Sequence, residues 1–76
     1  MTLSELSLNQ KARIIDFDSY DSVLETRLRE IGFAEGDQVT ILHFGPFGKN
    51  PMSLKLNGAL IALRRREAQA IIVEII

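Results

Sequence analysis

The chain has 76 residues, 46% of them hydrophobic and 25% charged, with no cysteine and a formal net charge of −1. A chain this short builds one small core, burying only about 60–65% of the surface it exposes when unfolded. Without thiols that core rests on apolar packing alone, since disulfides and thiolate-metal staples are excluded. The slightly acidic balance, with a pI near 5.7, argues against a phosphate-binding surface, which needs a basic excess.

Met1 to Glu5 carries neither a basic segment nor an apolar h-region, so no secretory leader is expected. The absence of cysteine fits a reducing compartment. The longest apolar runs, Ala59 to Leu63 and Ala70 to Val73, fall far short of the ~20 residues that a membrane-spanning helix requires.

Thr2-Leu3-Ser4-Glu5 has the spacing of a capping box and predicts one short helical turn, ended by Asn9. Lys11 to Phe17 then reads as a strand, with Ala12, Ile14 and Asp16 on one face and Arg13, Ile15 and Phe17 on the other. Between Asp18 and Ile31 the period changes. Tyr20, Val23, Leu24, Leu28 and Ile31 fall on one helical stripe, which predicts a helix that covers an open end of the β structure. Asp18, Ser19 or Ser22 is placed to cap its start, Glu25 to pair with Arg29, and Gly32 to end it.

From Asp37 to Phe44, Val39, Ile41 and His43 alternate with Thr40, Leu42 and Phe44, the pattern of a second strand. Gly45-Pro46-Phe47-Gly48-Lys49-Asn50-Pro51 is a loop by composition. Met52, Leu54 and Leu56 alternate with Ser53, Lys55 and Asn57, and Asn57-Gly58 turns the chain into a hairpin with Ala59 to Leu63. Arg64 to Gln69 is a polar surface turn and Ala70 to Ile76 a last strand. Five short strands, with one α-helix after the first, suit a small antiparallel β-barrel whose closure hides its edges. A parallel sheet would need repeated crossovers.

Arg27-Leu28 leading to Ile31-Gly32-Phe33 and Gly36, then Pro46-Phe47-Gly48, then Gly58 with Leu63-Arg64 and Glu67-Ala68 ahead of Ile72-Val73-Glu74, together resemble the FeoA family, in a match that begins at Leu3-Ser4-Glu5-Leu6. The resemblance implies a single SH3-like domain over residues 1–76, a cytoplasmic location, and a role beside the bacterial ferrous iron transporter FeoB, whose GTPase domain faces the cytosol. Gly32, Gly36, Gly48 and Gly58 have structural readings of their own, at turns where positive φ is cheap for glycine. Two positions depart from the family pattern. Asn9 stands where a glycine is usual, an exchange that Asn tolerates in left-handed space. The mid-chain loop is one residue longer and locally basic, because Lys49-Asn50 separates Gly48 from Pro51.

Asp16-Phe17-Asp18-Ser19-Tyr20-Asp21 has the look of a calcium loop, yet Asp21 sits where glycine is required and Arg27 where glutamate is. His43 is the sole histidine and reads as a half-buried strand residue with no second ligand beside it. No metal site, cofactor or catalytic residue is expected, and no nucleophile, Walker or zinc-protease motif is present.

The expected function is modulation of the FeoB GTPase domain by direct binding. Phe47, Pro46 and Lys49 on the loop, with Arg64, Arg65 and Arg66 as the best basic patch, are the candidate contacts, and Phe47 is either an exposed anchor or a plug in the barrel end. One alternative is a KOW-type RNA-binding module, which uses a stretch like Gly36-Asp37-Gln38-Val39-Thr40-Ile41; the acidic pI and the lack of aromatics among the arginines weigh against nucleic acid. Another is a relative of the regulatory barrel of DtxR-like metal-dependent repressors, although no helix-turn-helix precedes it. The apolar ending Ile71 to Ile76 leaves room for a homo-oligomer.

Overall fold

The alternating runs become five antiparallel strands: β1 (Lys11–Phe17), β2 (Gln38–Phe44), β3 (Met52–Leu56), β4 (Ala59–Leu63) and β5 (Ile71–Ile75). The computed structural model describes residues 1–18 and 21–76. The strands form one sheet in the order β4-β3-β2-β1-β5. Its inner face and the segments laid over it bury Leu3, Leu6, Ala12, Ile14, Phe17, Leu28, Phe33, Val39, Ile41, Leu54, Ile71 and Val73, among others, in a single apolar cluster. Each large side chain so buried contributes roughly 1.5–3 kcal/mol. Among the described residues no polar or charged side chain is buried with them.

Two bulges set which residues point inward, and both correct the simple alternation. In β1, Ile14 pairs with Val73 but Asp16 with Ile72, so Ile15 is an extra residue. The inward set therefore jumps from Ala12 and Ile14 to Phe17, leaving Asp16 exposed. In β2, Ile41 pairs with Leu54 but His43 with Ser53, and Leu42 is the extra residue. Phe44 packs against the core in consequence, and His43 is exposed instead of half-buried. An added residue on one strand bends it and raises its twist, which curls this sheet toward a barrel.

The barrel-like sheet is not closed, since β4 and β5 do not pair. Edge protection comes partly from elsewhere. Met1 and Thr2 lie along β5, where Thr2 bridges Ile72 and the Val73 N–H donates to the Met1 carbonyl at 2.9 Å. The 3-10 turn Leu3–Glu5 follows. Of its capping box the glutamate half is formed: the Glu5 carboxylate accepts from the Thr2 N–H at 3.0 Å, while the Thr2 hydroxyl also points to Glu5 at 3.2 Å. That contact holds the Glu5 carboxyl below its usual range.

The helix α1 runs over Ser22–Ile31, shorter than the Asp18 to Ile31 span that the periodicity suggests. Ser19 and Tyr20 lie outside the described residues. The cap is Asp21, whose carboxylate accepts from the Leu24 N–H at 3.0 Å. The reach from a side chain to the amide three residues on selects Asp21 once the helix starts at Ser22. The Asp18 N–H is engaged by the Ala70 carbonyl, and Ser22 is already helical. Gly32 ends the helix at φ 130°, its N–H shared between the Leu28 and Arg29 carbonyls. Docking is narrower than the stripe implied: Leu28 is buried and Leu24 packs beside it, whereas Val23 is 70% and Ile31 44% exposed. A second, four-residue helix, α2 (Arg65–Ala68), precedes β5.

Candidate partner-binding surface

Loop 45–51 joins β2 to β3 and is closed at its mouth by Gly45 N–H to Pro51 C=O at 2.7 Å and by Phe47 N–H to Asn50 C=O at 3.2 Å. Gly45 is a glycine because the chain returns on itself there: a Cβ would lie 2.5 Å from the Asn50 carbonyl oxygen. Gly48 and Lys49 follow at φ 64° and 65°. Lys49 thus takes a left-handed conformation unusual for a long side chain, and its ammonium sits 5.1 Å from the centre of the Phe44 ring.

Phe47 is 79% exposed at the tip of this loop. With that exposure it does not plug the barrel end, and it is not among the side chains packed in or against the core. Pro46 and Lys49 are exposed beside it in the chain.

The loop and the arginine turn are tied together by Asn50, whose side-chain oxygen accepts the Arg65 N–H at 3.0 Å. That bond satisfies an orphan donor at the start of α2 from fifteen positions away in sequence. The neighbouring Arg64 N–H donates to the Glu67 carboxylate at 2.9 Å. Arg64, Arg65 and Arg66 are all exposed. Between α1 and α2 lies a shallow groove of about 170 Å³ lined by Leu24, Arg27, Arg64 and Arg66. A second one, of about 350 Å³, runs from Ile31 to Pro51, Ala62 and Leu63, with Arg27 and Arg64 on both.

The sequence names loop 45–51 and the arginines as candidates, but gives Asn50, Arg27 and Glu67 no role of their own at this surface. The one available signal was Glu67 itself, placed at the third position of a short helix, where a carboxylate reaches back to the cap amide. Of the four structural glycines, Gly36 and Gly58 take φ 91° and 87°, alongside Gly32 and Gly48 as given above. Asn9, which stands where glycine is usual, takes φ 64°.

The shortest ion pair among the described residues involves Arg29 of α1, which lines neither groove. Arg29 donates to both oxygens of Glu35 at 2.9 Å and to Glu25 at 3.3 Å, and its guanidinium stacks 4.4 Å above the Phe17 ring centre. Bonding to Arg29 lowers the Glu35 carboxyl to about 2, and the Arg29 guanidinium is pushed up by the same bond. Among the described residues no three His, Asp or Glu side chains gather as a metal cluster. The Asp16 and Asp21 carboxylates accept from the amides of Phe17 and Leu24.

Comparison with known proteins settles the family, since the FeoA domain model matches residues 1–75. The chain belongs to the FeoA family. It is 35% identical over 74 residues to the Fe(2+) transport protein A of Helicobacter pylori strain J99, covering 97% of this chain and 94% of that one. The FeoA of Stenotrophomonas maltophilia, described as an SH3 domain protein complexed with zinc, shares 34% identity and superposes at a TM-score of 0.84 over 97% of this chain and 89% of its own. A FeoA-like protein from Clostridium acetobutylicum superposes at 0.91 with 28% identity, over 100% of this chain and 86% of that chain.

This FeoA-family chain therefore has the SH3-like β fold and belongs among ferrous iron transport accessory proteins. A manganese-dependent transcriptional repressor superposes at 0.92 over 36% of its own length with 19% identity, a likeness of fold alone. Among the described residues no helix is long and apolar enough to cross a membrane.

Proposed function

We propose that this chain is a cytosolic, single-domain accessory protein of ferrous iron uptake, which modulates the FeoB transporter by binding its GTPase domain and performs no catalysis itself. The contact surface is the Phe47 loop together with the arginine turn. The observation that carries this reading is the 79% exposure of Phe47 on a loop braced to Arg65 through Asn50. An aromatic ring held out on a braced loop buries much area on binding at little entropic cost.

Phe47→Ala tests it in two measurements. With about four-fifths of the residue already in solvent, the substitution is expected to shift the thermal midpoint by only a few degrees; loss of a fully buried Phe costs roughly 3–5 kcal/mol. Affinity for the isolated GTPase domain of FeoB, measured by calorimetry, is expected to fall at least tenfold, or about 1.4 kcal/mol. Undiminished binding would remove Phe47 from the interface. Lys49→Ala is expected to slow association and reduce its salt dependence, as for a charge at an interface rim.

A further inference from the structure

We propose that β4 is a docking strand: an extended segment of the partner protein, bearing an acidic side chain, adds to the open edge of β4 in the groove between that edge and α1. This rests on the partner-binding reading above and specifies how the partner is held.

The backbone supplies the first argument. β4 pairs with β3 alone, without a bulge, from Leu56–Ala59 to Met52–Leu63. The two-residue turn Asn57-Gly58 has positive φ at both positions, the geometry of a hairpin turn whose flanking residues form a hydrogen-bonded pair. Leu56 and Ala59 are that pair, and the alternation of antiparallel bonding makes Ala59, Ile61 and Leu63 face β3. Leu60 and Ala62 consequently turn their N–H and C=O groups outward. Among the described residues nothing accepts from or donates to them.

The two edges of the sheet are treated differently. Met1 and Thr2 cover β5, while β4 has no such cover. Exposed edges in soluble proteins are commonly blunted by a charge, a proline or a bulge. β4 has none of these in Ala59-Leu60-Ile61-Ala62-Leu63, and Leu60 is 77% exposed. Edges of this kind accept peptide strands, the main-chain bonds giving affinity and pockets for alternate side chains giving specificity.

The groove beside β4 supplies the second argument. Its lining includes Ala62, Leu63, Pro51 and Ile31 of α1, apolar groups for the alternate side chains of an added strand to meet, beside the charged Arg27, Arg64 and Glu67. Its cations are Arg27 and Arg64, against one carboxylate, Glu67. Arg27 reaches Glu67 only at 3.9 Å, and the Arg64 guanidinium has no carboxylate partner among the described residues. An acidic side chain in the incoming segment completes this arrangement. A second copy of the chain does not, because two β4 edges brought together carry two sets of Arg27 and Arg64 into one groove.

Residue-resolved amide exchange by NMR, on the full chain with and without the FeoB GTPase domain, tests the proposal. At saturation the Leu60 and Ala62 amides are expected to exchange at least tenfold more slowly, a signature that a side-chain contact alone does not produce. Unchanged exchange at both, with binding intact by calorimetry, overturns strand addition and leaves the partner reading standing. No binding by calorimetry overturns both. Protection of Leu60 and Ala62 that grows with the concentration of the chain alone identifies a second copy as the occupant and also overturns it. Ala62→Pro removes one outward donor at a position where proline is tolerated, and Arg64→Glu reverses the unpaired charge. Each is expected to weaken binding at least tenfold, and parental affinity in both overturns the proposal.

Discussion

Gly45→Ala tests whether the mouth of loop 45–51 is closed as tightly as its hydrogen bonds indicate. The new methyl carbon would stand 2.5 Å from the Asn50 carbonyl oxygen and 2.7 Å from Cδ of Pro51, about 1 Å inside ordinary carbon–oxygen contact. These are backbone and ring atoms, so no flexible side chain can swing away. Either the Gly45–Pro51 and Phe47–Asn50 bonds lengthen or the flanking backbone shifts, and overpacking of this kind costs roughly 1–3 kcal/mol. In a domain of this size that is a fall in melting temperature of about 4–8 °C per kcal/mol.

The Asn50 side chain that braces Arg65 moves with its backbone, so the variant should also weaken partner binding. Gly48→Asn is the control. A side chain there meets nothing within 4 Å, and Asn accepts the left-handed φ of 64° at small cost. Calorimetric melting of both variants decides the matter. A Gly45→Ala midpoint as high as that of Gly48→Asn would show that the loop is not closed at Gly45.

Gly58→Val is expected to destabilise by more than ~1 kcal/mol in a denaturant titration, through backbone strain at φ 87°, since nothing lies within 4 Å of an added Cβ. Glu35 titrates in the folded protein at about 2, below its ordinary 4.5. Its pairing with Arg29 therefore stabilises above about pH 4.5 and is lost as pH falls from there through about 2. Glu35→Gln should flatten that part of the urea-midpoint profile, and an unchanged profile would refute the assignment. Folding is expected to be independent of metal, because the buried cluster is wholly apolar; melts with and without a chelator should coincide within a few degrees.

The strands, the Asn57-Gly58 hairpin, the loop at 45–51 and the helix after β1 were legible in the residues, because each depends on a local period or on a turn residue. The family resemblance was legible too, and the match over residues 1–75 bears it out. The exposure of Phe47 was readable only as one of two outcomes. Its ring belongs to no alternating face, and whether it folds inward depends on how side chains from separate segments fill the core.

The exposure of Asp16 and His43 was not readable from the alternation for a related reason. A bulge is a mismatch between two strands, at Ile15 against β5 and at Leu42 against β3. Neither strand carries that mismatch in its own alternation. Asn50 and Arg65 are likewise brought together only by the β3–β4 hairpin that returns the chain to the loop. The open edge of β4 has the same origin: an apolar run signals a strand, but which strands pair, and hence whose outward N–H and C=O groups remain free, is settled by the packing of all five around one core.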